Sequence, residues 1–577
     1  MKRVIVIFTL LVIAAGSIPA LAEYSGGTGT PEDPYLISTP EDMNQIGRNY
    51  TDWDKCFKLT ADINLSAYTG TQFSRIGPDD KHAFRGAFDG NGHTISGFTY
   101  TAADSDYIGV FGNISAAGRI ENVSLIDVNV IGGGSVGGLA GRNEGTISNC
   151  NSTGNITGIY AVGGLMGENY NGSISDCYST AAVTGQYYLG GLVGISGGSI
   201  TNCYSTGAVI GGDGAQNIGG LLGANHGDVT NCYSTGVVTD GDNSYYLGGL
   251  VGWSDDGGNI STCYSTGAVT GGDNSYYIGG LVGHSNGGII NNSTGTITSG
   301  DDSLYLSGPV GYAISSNITG CYATGDVAGG NYSQYLGGLV GNGFVISNCY
   351  STGAVTGGDE ALYLGGLVGY GGDISNCYST STVAGGYDSD YVGGLVGYQY
   401  FSDVTDCYVA GDVAGDYDTG GLVGLNDHST ITRCYSSGSV SGYMYVGGLV
   451  GWNYEGTTTD SFWDTDTSSQ SWSDGGTGKT TAEMMTLSIF TSAGWDFTNI
   501  WAICEGMNYP RLLWSIPAAD LACPDGVNFV DYSFFAQRWL NTDCASNDNC
   551  DGTDFDFSGT VDIADLEIFC KNWLHGL

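Results

Sequence analysis

The sequence predicts an all-β protein, a right-handed parallel β-helix of about thirteen rungs with a small helical module at its C-terminal end. Three observations predict it. Between Gly137 and Gly451 the pentapeptide G-G-L-x-G occurs eleven times, with leucines at 139, 165, 192, 221, 250, 281, 339, 367, 395, 422 and 449. Two worn copies, at Ile108–Gly112 and Ser307–Gly311, extend the series, and neighbouring copies lie 26 to 31 residues apart. Nine of the eleven full copies are followed by a lone cysteine. A repeat of that period means a solenoid, in which each coil buries its apolar side on the next.

Residues 1–22 read as a secretory signal: Lys2 and Arg3, an apolar run from Val4 to Ala15, and Ala20-Leu21-Ala22 as the cleavage site. The run is short for a membrane span, so the expectation is a secreted or cell-surface protein with no membrane insertion. The chain holds 15 Lys+Arg against 58 Asp+Glu, for a net charge of −43. Such a surface repels phosphate backbones and argues against nucleic acid. Calcium and neutral or basic polymers suit it better.

Residues 23–106 form an N-terminal cap and first strands. Thr39-Pro-Glu-Asp42 carries an N-cap, a proline at the first helical position and acids in the first turn. Asp89 and His93 look catalytic in isolation, but Asp-Gly and Asn-Gly turn chemistry explains them more simply.

The solenoid occupies 107–458. In the unit Leu189–Gly212, β-prone pieces cover Leu189–Ile195, Ser199–Tyr204 and Thr206–Ile210, separated by Gly, Asn and Ser corners. Thirteen such turns at about 4.8 Å each give a rod on the order of 60 Å long. Asn or Asp precedes most of the lone cysteines (Asn149, Asp176, Asn202, Asn231, Asn348, Asn376, Asp406). Those side chains tolerate a left-handed corner and stack into amide ladders. The cysteines 150, 177, 203, 232, 263, 321, 349, 377, 407 and 434 occur one per rung. In-register parallel side chains point the same way, a poor geometry for disulfides, so a buried thiol ladder is expected. Positions 123, 292 and 461 are read as the same slot carrying Val, Asn and Ser. The tyrosine after each cysteine then faces outward. The residue following G-G-L-x-G varies from Arg142 and Glu168 to Trp253, Tyr370, Tyr398 and Trp452. That tolerance predicts exposure, and it makes Trp253, Tyr370, Tyr398 and Trp452 the candidate ligand-binding surface, possible stacking platforms for a glycan.

Residues 459–517 lose the repeat and gain tryptophans, as a C-terminal cap would. Gly475–Thr480 imitates a phosphate-binding loop, but Ser473 stands where the first glycine is required.

Residues 518–577 are a separate duplicated module. Val527–Leu540 matches Val561–Leu574 at an offset of 34. The second loop offers oxygen at positions 1, 3, 5, 7, 9 and 12 through Asp554, Asp556, Ser558, Thr560, Asp562 and Asp565, with Gly559 at position 6. Hard Ca²⁺ requires that oxygen cage and that sharp turn. The first loop cannot fill slots 1, 3 and 5 together in either register, which predicts at most a weak site over 520–531. Cys523, Cys544, Cys550 and Cys570 are available to brace the module, and four cysteines allow three pairings.

The repeats resemble the GLUG family, named for its G-L-x-G signature, and the flanks are similar to those of exported bacterial GLUG proteins. The last sixty residues resemble a dockerin, a duplicated calcium loop–helix module. The resemblance implies adhesion-type roles at a cell surface, the six residues above as calcium ligands, and tethering through 518–577 to a cohesin-like partner. Three functions compete: a non-catalytic rod displaying a binding surface, a polysaccharide-active enzyme on a β-helix, and a purely structural surface element. The acids of the repeats recur in the corners, as solvation places them. No converging carboxylate pair breaks the repeat, so the non-catalytic rod leads and no catalytic residue is assigned.

Overall fold

A computed structural model describes residues 24–573, apart from 256, 287–288, 314–316, 524–525, 543 and 545–547. The signal read in 1–22 lies outside the described residues. The chain winds into a parallel β-solenoid of about 14 turns, followed by short helices. The motif strands, from Phe111–Ile114 to Val450–Tyr454, form one 13-stranded sheet in chain order. Its register is strict: Val193 pairs with Leu222, and Leu222 with Val251. A full turn breaks into more pieces than the sequence suggests. One coil runs Leu362–Gly365, Val368–Gly371, Asp373–Ser375, Tyr378–Ser379 and Val383–Ala384.

Two corners account for the extra breaks. At the Gly-Gly corner a Cβ on Gly190 would collide with the carbonyl of Val193, and one on Gly191 with the carbonyl of Gly220 in the next coil. At the Asn corner the backbone is left-handed, with φ 55° at Asn202 and Asn231 and 53° at Asn376. The expected amide ladder forms there: Asn231 Nδ2 donates to Asn202 Oδ1 at 2.7 Å, and Asn202 Nδ2 to Asp176 Oδ1 at 3.1 Å.

The cysteine ladder is interior. All ten thiols are free and buried. Where the next coil also carries a cysteine the N–H typically donates to its sulfur, as Cys203 N does to Cys232 Sγ at 3.4 Å, and at the end of the ladder Cys434 N donates to Ser461 Oγ at 3.0 Å. The reading of position 292 needs correction. Asn292 pairs with Tyr264, so it stands in the outer tyrosine row, where its Oδ1 accepts from Tyr322 N at 3.2 Å.

Both ends differ from expectation in extent. The ladder begins at Tyr35–Ile37, which pairs with Cys56–Leu59, so the first strands of 23–106 already belong to it well before residue 107. The helix Pro40–Arg48 has the expected capping box between Thr39 and Asp42, and it buries Met43 and Ile46 in the solenoid core. At the other end Phe462–Asp464 and Thr477–Lys479 continue the parallel ladder, so the glycine-rich segment 475–480 is part of a β-strand turn. The chain after it is more than an end plug. It folds back along the flank, where Trp501 and Trp495 pack with Tyr408, Tyr435 and Phe462. Trp514 Nε1 reaches the Asn376 carbonyl at 3.0 Å, one coil further back than Asp406, which accepts from Trp501 Nε1 at 3.1 Å. Among the described residues no helix is long and apolar enough to cross a membrane.

Candidate calcium loop and aromatic face

The tail module places its two halves alike. Helix Phe529–Ala536 is capped by Asn528 with Asp531, and helix Ile563–Lys571 by Asp562 with Asp565. Phe535 and Phe569 stack at 5.2 Å between the helices. In the second half, oxygens of Asp554, Asp556 and Asp565 lie within 4.8 Å of one another. Asp554 and Asp565 are buried, which leaves two acids out of water and facing a third. The loop turns on φ 92° at Gly559. Asp565 Oδ1 accepts from Phe555 N at 2.6 Å and Asp556 N at 3.2 Å, and Asp554 accepts from Ser558 N and Gly559 N. Hydrogen bonds from Ser558 hold the Asp556 carboxyl below the usual range. Convergent oxygen donors on a sharp turn fit a hard divalent cation.

The other proposed ligands are placed differently. Asp562 is the helix N-cap, its Oδ1 accepting from Ala564 N at 2.9 Å. The Thr560 carbonyl accepts from Ser558 Oγ at 3.1 Å. The first loop has the same closure with fewer acids. Asp531 Oδ1 accepts from Leu521 N and Ala522 N at 2.8 and 2.9 Å, and Asp520 accepts from Gly526 N. Ala522 stands opposite Asp556 in the duplication, so the first loop has the same backbone closure without the third carboxylate. The cysteines pair otherwise than as a set of four. Cys544 joins Cys550, whereas Cys523 joins Cys504 in the flanking segment, and Cys570 is a free, exposed thiol.

The aromatic face is richer than the sequence reading. Tyrosines 178, 204, 233 and 264 stack at 4.8 to 5.0 Å, but the same row is covered at Tyr408 and Tyr435 by the returning flank. A second row was missed: Tyr246, Tyr277, Tyr305, Tyr335, Tyr363 and Tyr391, stacked at 4.5 to 5.1 Å. All six have left-handed backbone, φ 58° to 64°. The sequence signal was a tyrosine two residues before the Gly-Gly of five of these coils, and before Ser307-Gly308 in the sixth. Ring-on-ring contact in every coil offsets the strain of a bulky residue in that conformation.

This second row explains the exposure of the candidate surface. Trp452 is exposed, whereas Trp253, Tyr370 and Tyr398 are half-buried, which corrects the expectation for those three. Tyr370 meets Tyr335 and Tyr363 edge-on, and Tyr398 Oη donates to Asp427 Oδ2 at 2.7 Å. The four do not form one patch. Tyr370 and Tyr398 touch at 5.2 Å, Trp253 sits by His226, and Trp452 sits by Tyr445 and Tyr454. Asp89 ends the strand Ala87–Asp89 and its side chain closes the turn that leads to His93, Asp89 Oδ1 accepting from Asn91 N and Asn122 Nδ2.

Nine stretches of the chain match the GLUG motif: residues 132–157, 158–184, 185–210, 214–239, 243–270, 332–356, 360–384, 388–414 and 415–441. The coils between 271 and 331 fall outside these matches yet stack in the same register, Val282 on Val310 and Val310 on Val340. A stretch of 156 residues is 41% identical to halomucin of Haloquadratum walsbyi, covering 26% of this chain and 2% of that protein. Another of 132 residues is 39% identical to a putative Gly-rich membrane protein of Evansella cellulosilytica, covering 22% of this chain and 15% of that one. The chain therefore spans a small part of the length of either relative. Among solved structures, a putative immunoglobulin A1 protease from Bacteroides ovatus is similar over 43% of this chain and 80% of that one, at 23% identity and a TM-score of 0.34.

Proposed function

We propose that this protein is a non-catalytic extracellular rod that presents an adhesive surface, with its C-terminal module as a calcium-ordered tether. The observation that carries the rod is the continuous parallel ladder, which gives a rigid object with equivalent positions repeated coil after coil. Relatives named as a halomucin and a membrane protein support a surface or extracellular placement. The stacked tyrosine rows support a glycan as the ligand, because aromatic faces pack on the C–H faces of sugars. The duplicated loop–helix halves and the three converging carboxylates support calcium binding and, with it, docking to a cohesin-like domain. The test is a glycan array with the full chain, followed by reducing-sugar assays on every glycan bound. Binding without sugar release is the expected result. No binding removes the adhesive reading, and release replaces it with an enzyme.

A further inference from the structure

We propose that a notch over the Asn342 coil is a subsite for a single neutral sugar ring; this deepens the glycan reading above and rests on it. The notch comes from loop lengths. From the last glycine of the motif to the next inward aliphatic residue there are five steps in two consecutive coils, Gly341 to Ile346 and Gly369 to Ile374. The following coil takes seven, Gly397 to Val404. The corner is therefore lowered over two coils, and the longer loop stands beside it as a wall. That wall carries Tyr400 and Phe401, 44% and 63% exposed, and Phe344, 55% exposed, projects from the lowered corner.

The aromatic slot is interrupted at the same place. His284, Tyr312, Asn342, Tyr370 and Tyr398 follow one another up the sheet. Tyr312 has one face on His284, at 5.5 Å and 25°. The next coil supplies Asn342 in place of a ring, so no ring from that slot stands over the other face. Tyr312 and Tyr370 are two coils apart, roughly 10 Å, and the layer between them carries the smaller Asn342 side chain in place of a ring. The cavity holds about 340 Å³, at the small end of the size range of ligand sites.

Its polar groups suit hydroxyls. Asn342 is half-buried, and its carboxamide has no hydrogen-bond partner among the described residues. It offers two donors and an acceptor between two aromatic walls. Asp373 and Ser402 also line the cavity. A carboxylate in the lining of a chain with net charge −43 disfavours acidic sugars. Apolar faces with few polar groups between them recognise a pyranose: ring C–H on the tyrosines, hydroxyls on the amide.

The test uses the full chain and calorimetric titration with hexasaccharides of glucose, mannose, N-acetylglucosamine and galacturonic acid. Asn342→Tyr restores the ring that neighbouring coils carry, so it fills the notch without opening the core. It is expected to weaken binding of a neutral hexasaccharide at least tenfold with no fall in melting temperature. Tyr370→Ala is expected to weaken it similarly, and the distant Trp253→Ala less than twofold. Wild-type affinity in both notch variants, with loss in Trp253→Ala or Trp452→Ala, overturns the notch and leaves the adhesive rod standing. Failure of every hexasaccharide to bind the unaltered chain overturns both. Tighter binding of the galacturonate hexamer than of the neutral ones overturns the assignment of sugar class.

Discussion

The ten ladder cysteines behave as packing groups because each sulfur is buried and engaged twice. Cys232 accepts an N–H from Cys203 and donates to the Thr230 carbonyl at 3.3 Å. The Cys203 thiol beside it and burial push Cys232 up to about 12, far from the thiolate range in which cysteine reacts. In the native protein at pH 8, a thiol reagent is expected to modify Cys570 rapidly, Cys56 slowly, and none of the ladder. Mass spectrometry of the labelled peptides checks this, and rapid modification of most of the ten refutes the buried ladder. A second residue-scale prediction concerns Asp418, which occupies the left-handed slot that Tyr391 fills one coil before and is almost fully buried. Its folded pKa lies above its unfolded value, so the native state favours the protonated form. Stability from this group is present below the unfolded pKa near ~3.9 and is lost as pH rises through about 7. Asp418→Asn is therefore expected to raise the melting temperature at pH 8 and leave it unchanged at pH 3.5, measured by scanning calorimetry.

At the scale of elements, the returning flank and the tail each have one contact that decides them. Trp501 is fully buried between Tyr408, Tyr435 and Trp495, with its indole N–H on Asp406. Trp501→Ala is expected to cost about 3–5 kcal/mol of the flank's docking and to free Tyr408 and Tyr435, seen as faster hydrogen exchange at 484–514 with the inner coils unchanged. The second calcium loop brings Asp554, Asp556 and Asp565 together, and three acids so close repel unless a cation joins them. Titration of the full chain is expected to show one tight Ca²⁺ site, abolished by Asp554→Ala and Asp565→Ala. Asp562→Ala is expected to weaken it less, because that carboxylate caps the helix. Two equally tight sites, or none, refute the assignment.

For the whole molecule, the rod and the tail are expected to unfold as separate cooperative units, with the Cys504–Cys523 disulfide between the flanking segment and the tail. The tail has its own core around Phe535 and Phe569, distinct from the continuous core of the coils. Chelation is therefore expected to lower one calorimetric transition and leave the larger one in place. A shift of both transitions together refutes the separation.

The sequence by itself determined the solenoid, its period, the interior cysteines, the left-handed Asn corners, the helix cap at Thr39 and the acidic second loop. Each of these is a local property, or one repeated with a fixed period, so the same residue types recur wherever the same backbone recurs. Only the tertiary structure decided the path of residues 480–517 along the flank, the Cys504–Cys523 pairing and the half-burial of Tyr370 and Tyr398. It also decided that Asn292 belongs to the tyrosine row, and that two short corners in a row leave a notch. These depend on which coil lies beside which and on how loop lengths add up across neighbours. Parallel stacking transmits a change of one or two residues in a corner to the adjacent coil as open space, and no single repeat contains that information.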